Sequence, residues 1–226
     1  MTGRPAGGDA EGEAFPSVLS TERLRLEQCC RANVSVAEFY RAASDRNPHI
    51  EAVTEHLSWT PHESRRESRE TLAHFEEAWA DGEIATYAIR PKDAEPTPES
   101  LAGSLVDTDD GVLAGTCALT CDWDADCGTL GVWLRKEYWG RGYSGERADA
   151  LLALAFDELG FGVVAVCHNA GNDPSRSAIE SYVDRHSGHR EGLLRHFAAA
   201  PDGSGGVDQV RYTISRAEWR AASGQK

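Results

Sequence analysis

Polar and apolar residues alternate through Glu22-Arg-Leu-Arg-Leu-Glu27, the period of a half-buried strand. The pattern then changes to a helical one. Val36, Phe39, Tyr40 and Ala43 recur at three- and four-residue intervals, as do Ile50, Val53 and Leu57. His62 to Trp79 reads as a long charged helix whose inner stripe is Leu72, Phe75 and Trp79. A strand follows at Ile84 to Arg90, then a loop from Pro91 to Ser100, because three prolines cannot sit inside a central strand. Gly111 to Thr120 and Thr129 to Leu134 read as strands around the acidic loop Asp122-Trp-Asp-Ala-Asp126. The pattern closes with a helix (Gly145 to Leu159), a strand (Val163 to His168), a helix (Ser175 to Arg185) and strands near Arg190 to Phe197 and Val207 to Ile214. Strands and helices interleave too thoroughly for two domains, and no internal repeat is visible. Residues 1–16 lack periodicity and read as a flexible acidic tail, 17–220 as one domain, and 221–226 as a C-terminal tail.

Composition narrows the function. Lys+Arg number 23 against Asp+Glu 37, a formal charge of −14, which disfavours a nucleic-acid coat because phosphate binding needs a broad basic face. No apolar run approaches the roughly 20 residues that span a bilayer, and the polar N-terminus has no secretory h-region, so a cytoplasmic protein is expected. Only Lys92, Lys136 and Lys226 are lysines. Abundant carboxylates with scarce lysine suit a halophilic, haloarchaeal source, where salt screens an acidic surface; a coding bias toward Arg, Ala, Gly and Asp is the plainer explanation. The six cysteines form no C-x2-C pair, and His186 and His189 flank Gly188 in a turn, so reduced structural thiols and no metal are expected.

The chemistry concentrates in Leu130 to Arg147. A strand ends near Leu134, glycines stand at 140, 142 and 145, and a helix with Ala148, Leu151, Leu152, Ala155, Phe156 and Leu159 on one face begins. A helix N-terminus presents unpaired N–H groups and partial positive charge, and glycines let its backbone approach phosphate oxygens. Arg135, Lys136, Arg141 and Arg147 make the window locally basic within an acidic chain, which points to a phosphorylated ligand. The spacing is not that of a nucleoside-triphosphate loop. It does give G-x-G-x-x-G, but a dinucleotide fold places that motif after its first strand. A plain tight turn is the structural alternative.

Gly131-Val-Trp-Leu and Tyr138-Trp-Gly-Arg-Gly-Tyr143 resemble the acetyl-CoA segment of GNAT acyltransferases, in the RimJ/RimL-like (ribosomal-protein-alanine N-acetyltransferase-like) branch. Glu146 matches the branch's Glu, whereas Ser144, Gly145 and Arg147 stand where it has Ala, Thr and Ala. The similarity extends over about residues 17–220: Thr21 to Leu26, Leu57-Ser-Trp-Thr-Pro-His62, Asn172-Asp-Pro-Ser175 with Ile179-Glu180, Glu191-Gly-Leu-Leu-Arg195 and Glu218-Trp219. The branch's G-F after the last helix is absent, replaced by Arg185-His-Ser-Gly-His189.

The resemblance implies an α/β (α+β) GNAT fold: a mixed, mostly antiparallel sheet flanked by helices and splayed at the strand that takes pantetheine. It also implies transfer of an acetyl group from acetyl-CoA to a primary amine, on a peptide N-terminus or a small molecule, by a monomer or homodimer. Cofactor contacts fall on Val132, Trp133, Leu134, Asn172 and the amides of Arg141, Gly142, Tyr143, Ser144 and Gly145, with Arg135 or Arg141 near the phosphates. Ser175, with Tyr182 as the alternative, donates to the departing sulfur. Asp173-Pro174 reads as N-cap and N1 of its helix. No side chain stands out as the base, which leaves a non-catalytic acyl-CoA-binding sensor as the rival reading. Asp122, Asp124 and Asp126 serve either a cationic acceptor or solvation alone. The helix from His62 is expected to line the acceptor side, and its arginines to pair with its own glutamates.

Overall fold

The computed structural model describes residues 14–224 except 94, 97, 99–100 and 102–111. Parts of the predicted proline loop and the predicted strand start at Gly111 lie outside the described residues. In chain order the elements are β1 (Val18–Ser20), β2 (Leu24–Gln28), α1 (Val36–Ala43), α2 (Ile50–Thr54), α3 (Arg65–Ala80), β3 (Ile84–Pro91), β4 (Gly115–Asp122), β5 (Cys127–Leu134), α4 (Tyr143–Ala153), β6 (Val163–Asn169), α5 (Asp173–Arg185), β7 (His189–Ala199), β8 (Gly206–Ser215) and α6 (Arg216–Ser223). The expected α/β fold is present. One sheet runs β1-β2-β3-β4-β5-β6-β8-β7, antiparallel at every junction except the parallel β5–β6 pair.

Each face of the sheet carries its own core. On one, Leu26, Tyr87, Leu119 and Leu130 pack under Leu151 and Leu152 of α4 and Ile179 of α5. On the other, Ala88 and Trp133 meet Phe39, Val53 and Leu72 from α1, α2 and α3. The predicted apolar helix face is this contact: Ala148, Leu151 and Leu152 of α4 are buried, as are Ala155 and Phe156 in the π-helical turn Leu154–Glu158 that continues it. Fully burying one such leucine contributes about 1.5–3 kcal/mol.

The differences from the sequence reading have local causes. The helix expected from His62 starts at Arg65, because the Ser64 hydroxyl caps the Glu67 amide while His62 Nδ1 bonds the Ser68 hydroxyl at 2.8 Å. The cap of α5 is Asn172, not Asp173: its side-chain oxygen accepts the Ser175 amide at 3.1 Å. Phe15, read as tail, is buried edge-on against Trp79, with ring centroids 5.2 Å apart. Residues 221–223, also read as tail, complete α6, which a capping box between Ser215 and Glu218 opens.

Candidate active site

The parallel pair that joins β5 to β6 is short. Cys127 to Leu130 pair with Val163 to Val166, yet β5 runs on to Leu134 beside β4 and β6 to Asn169 beside β8 without pairing with each other. The sheet therefore opens into a V that leaves strand-edge amides and carbonyls of Gly131–Leu134 able to pair with an extended, amide-bearing ligand. A cavity of about 1600 Å³ runs through this opening. Val132, Trp133 and Leu134 line it, as do Gly142 to Gly145 and, across the V, Asn172 and Ser175.

At the open, C-terminal end of β5, a 3-10 turn over Lys136–Tyr138 leads into α4. Gly140 (φ +74°) and the N-cap Gly142 (φ +80°) both adopt left-handed backbone. No side chain caps α4. Gly145 and Glu146 donate to the Gly142 carbonyl, at 3.1 and 3.2 Å, so the predicted role of the Gly145 amide is already taken within the turn. Tyr143 and Ser144, as N1 and N2, keep amides without intrahelical acceptors, in a field that favours an anion.

The turn is braced from outside. Glu146 accepts from the Arg23 amide and Nε, each at 2.7 Å, and from the Thr21 hydroxyl. Arg23 also donates to the Arg141 carbonyl at 2.9 Å. Burial alone would raise the Glu146 carboxyl, but the bonds from Thr21 and Arg23 outweigh it and hold the group below the ordinary carboxylate range. Tyr143 donates to Glu95 at 2.6 Å, and Arg141 Nη1 to the Pro96 carbonyl at 2.7 Å, so the loop after β3 straps the turn from its outer side.

These contacts sort the predicted residues. Val132, Trp133, Leu134, Gly142, Tyr143, Ser144, Gly145, Asn172 and Ser175 converge on the cavity. The side chains of Arg135 and Arg141 do not line it. Arg135 is buried beside Glu137 at 3.7 Å, its pKa lowered by that burial, and Arg141 is spent on Pro96 and the Tyr138 ring. Tyr182 does not line it either: it is fully buried behind α4, with Arg147 above its ring at 5.9 Å. Asp122, Asp124 and Asp126 are exposed at the opposite end of β5. There Asp122 accepts from Ala125 and Asp126 from Gly162, which makes the acidic loop a structural turn.

The opposite wall is aromatic. Trp59 meets Trp133 at 5.5 Å, Phe75 of α3 lines the same space, and the Arg66–Glu70 pair of α3 lies exposed outside. Asn169 ties the carbonyl of His56 to the sheet at 2.9 Å and accepts from Gln209 at 3.0 Å. Two buried polar residues escaped the sequence reading. His168 lines the cavity near Tyr212, which donates to Glu180 at 3.1 Å; its signal was a polar residue at an inward position after Val164 and Val166. Arg147 was read only as local charge, and it borders the cavity from the second turn of α4. Among the described residues no cluster of His, Cys, Asp or Glu is placed to hold a metal, and the six cysteines are free thiols.

Comparison with known proteins places this geometry. The family model described as "Acetyltransferase (GNAT) domain" matches residues 23–182. A Bacillus subtilis protein named "Putative ribosomal N-acetyltransferase YdaF" is 30% identical over 116 residues, covering 49% of this chain and 57% of that protein; the chain thus spans little more than half of that relative. A GCN5-related N-acetyltransferase from Brucella melitensis superposes with a TM-score of 0.68 at 20% identity, over 95% of this chain and 87% of the other. The microcin C7 self-immunity acetyltransferase MccE, solved with acetyl-CoA and AMP, gives 0.70 at 14% identity, over 90% and 98%. At such identities the structural likeness speaks for the fold, whereas the family match covers most of the chain. The uncapped glycine turn beside an opened sheet thus belongs to a member of the GNAT acetyltransferase family.

Proposed function

We propose that the protein is an acetyl-CoA-dependent N-acetyltransferase acting on a primary amine, either a protein N-terminus or a small molecule. The observation that carries this reading is the V between β5 and β6 with the uncapped N-terminus of α4 at its end. The first suits an extended pantetheine arm and the second a diphosphate. The Asn172 amide nitrogen remains available to the arm once its oxygen has capped α5. The family's cofactor and the acetyl-CoA in the MccE structure support the same choice. The name of the Bacillus subtilis relative, a putative ribosomal N-acetyltransferase, favours a protein amine as acceptor.

In this reading the neutral amine nitrogen attacks the thioester carbonyl and the carbon–sulfur bond breaks. The Ser175 hydroxyl gives its proton to the departing thiolate and is reprotonated by water, while the proton displaced from nitrogen passes to solvent. Ser175 is chosen over Tyr182 because it lines the cavity. The acidic envelope and scarce lysine favour a high-salt cytoplasm as the setting.

The experiment is a melting measurement of the purified protein in molar salt, followed by a free-thiol assay over amines and N-terminal peptides. Acetyl-CoA should raise the melting temperature while NAD and ATP leave it unchanged, and at least one amine should release CoA. Ser175→Ala should then lower kcat by about 10- to 100-fold with little change in KM for acetyl-CoA. A melting curve indifferent to acetyl-CoA refutes the reading.

A further inference from the structure

Two arginines are buried in this domain in opposite electrostatic circumstances. Arg90 on β3 is saturated: Glu27 accepts from Nε, Glu38 from Nη1 at 2.7 Å, and the Asn33 carbonyl from Nη2 at 2.9 Å. Arg147 on α4 has none of this. Its side chain is fully buried, and its Nε and Nη1 have no hydrogen-bond partner. Among the described residues no carboxylate forms an ion pair with it. What faces it is Tyr182, through its ring at 5.9 Å and its neutral hydroxyl, which interacts with the guanidinium but brings no negative charge. A buried guanidinium without a counter-charge is destabilising unless an anion arrives.

The place of Arg147 says which anion. Helical side chains lean toward the N-terminus, and Arg147 borders the cavity behind Gly142–Gly145, where the amides of Tyr143 and Ser144 are unpaired. Two other arginines near the turn are occupied: Arg141 by Pro96, and Arg23 by Glu146. Arg185 leans on Gly145 but is paired with Asp149 at 2.6 Å. The RimJ/RimL-like pattern has Ala at this position, so a glycine turn of this kind does not itself require a cation there.

We propose that Arg147 is a cofactor-binding residue of this chain, its guanidinium held ready for the diphosphate of acetyl-CoA. This rests on the acetyl-CoA reading above. In the free protein Nε and Nη1 are fully buried, so binding turns the side chain from the Tyr182 ring toward the diphosphate. The diphosphate oxygens supply the partners these nitrogens lack, and a charge that destabilises the free protein tightens the complex.

The test is calorimetric titration of the wild-type protein, Arg147→Met and Arg147→Lys with acetyl-CoA, its 3′-dephospho form and S-acetylpantetheine, alongside their melting temperatures without ligand. Arg147→Met should bind acetyl-CoA and the dephospho form about 10- to 100-fold more weakly. It should bind S-acetylpantetheine, which has no phosphate, as the wild type does, and should melt no lower than the wild type. Arg147→Lys should recover part of the loss. Equal weakening toward S-acetylpantetheine makes the residue structural and overturns the proposal, as does undiminished affinity for acetyl-CoA. A loss confined to acetyl-CoA and absent with the dephospho form moves the contact to the 3′-phosphate and overturns the diphosphate assignment. Wild-type protein that ignores acetyl-CoA removes the parent reading instead, a failure visible before any variant is made.

Discussion

Glu146 shows how a single carboxylate can hold a binding turn without touching its ligand. It joins the β1–β2 corner to the first turn of α4 through Thr21 and both the amide and guanidinium of Arg23. Its side chain is only 15% exposed, so these bonds are weakly screened. Replacing it by Gln keeps the shape but loses the charge, at a cost of about 1–3 kcal/mol at pH 7. Because the folded carboxyl titrates below its unfolded value, this stability is present above the unfolded pKa of about 4.3 and is lost as pH falls through the depressed folded value. Melting curves of wild type and Glu146→Gln should therefore differ at pH 7 and converge below about pH 4. Coincident curves at pH 7 would show that the charge contributes nothing.

At the scale of elements, the turn between β5 and α4 depends on backbone that side chains resist. Gly142 sits at φ +80°, and a Cβ there would stand 3.3 Å from the end of the Arg23 side chain, which can yield. Left-handed backbone costs a residue with a side chain about 1–2 kcal/mol, and a β-branched one more. Gly142→Val should thus weaken acetyl-CoA at least 10-fold by tilting the first-turn amides, with a far-UV spectrum unchanged; titration decides it, and wild-type affinity would detach the turn from the cofactor.

This turn was legible in the sequence because its glycines, its apolar helix and its charge reversal are all local. So were β2 to β6 and the helices α4 and α5, within a few residues at most of their ends. The opening between β5 and β6 was not visible in the residues themselves: Leu130 and Gly131 differ only in whether a partner strand lies beside them, and only the resemblance led to expect it. Arg135 and Arg141 had the right charge and neighbourhood but rotamers set by Glu137 and Pro96, contacts no spacing predicts. The burial of Arg147 likewise depends on Tyr182, 35 positions away in the chain.

For the whole molecule the question is what the net charge of −14 does to an anionic ligand. The envelope repels it at long range, while the unpaired amides and Arg147 attract it at contact. Salt separates the two, because the screening length falls from about 10 Å at 0.1 M to about 3 Å at 1 M and buried groups are screened least. Raising KCl from 0.1 to 2 M should relieve self-repulsion and lift the melting temperature by about 5 °C, roughly 1–2 kcal/mol in a domain of this size. Over the same range affinity for acetyl-CoA should hold or rise, since the repulsion is exposed and the attraction is buried. A surface cationic site behaves in the opposite way and loses affinity steeply. If the melting temperature is flat in salt, the acidic composition reflects coding bias rather than habitat. If affinity falls with salt, the attraction comes from exposed arginines such as Arg176 and Arg185 and not from the buried floor of the cavity.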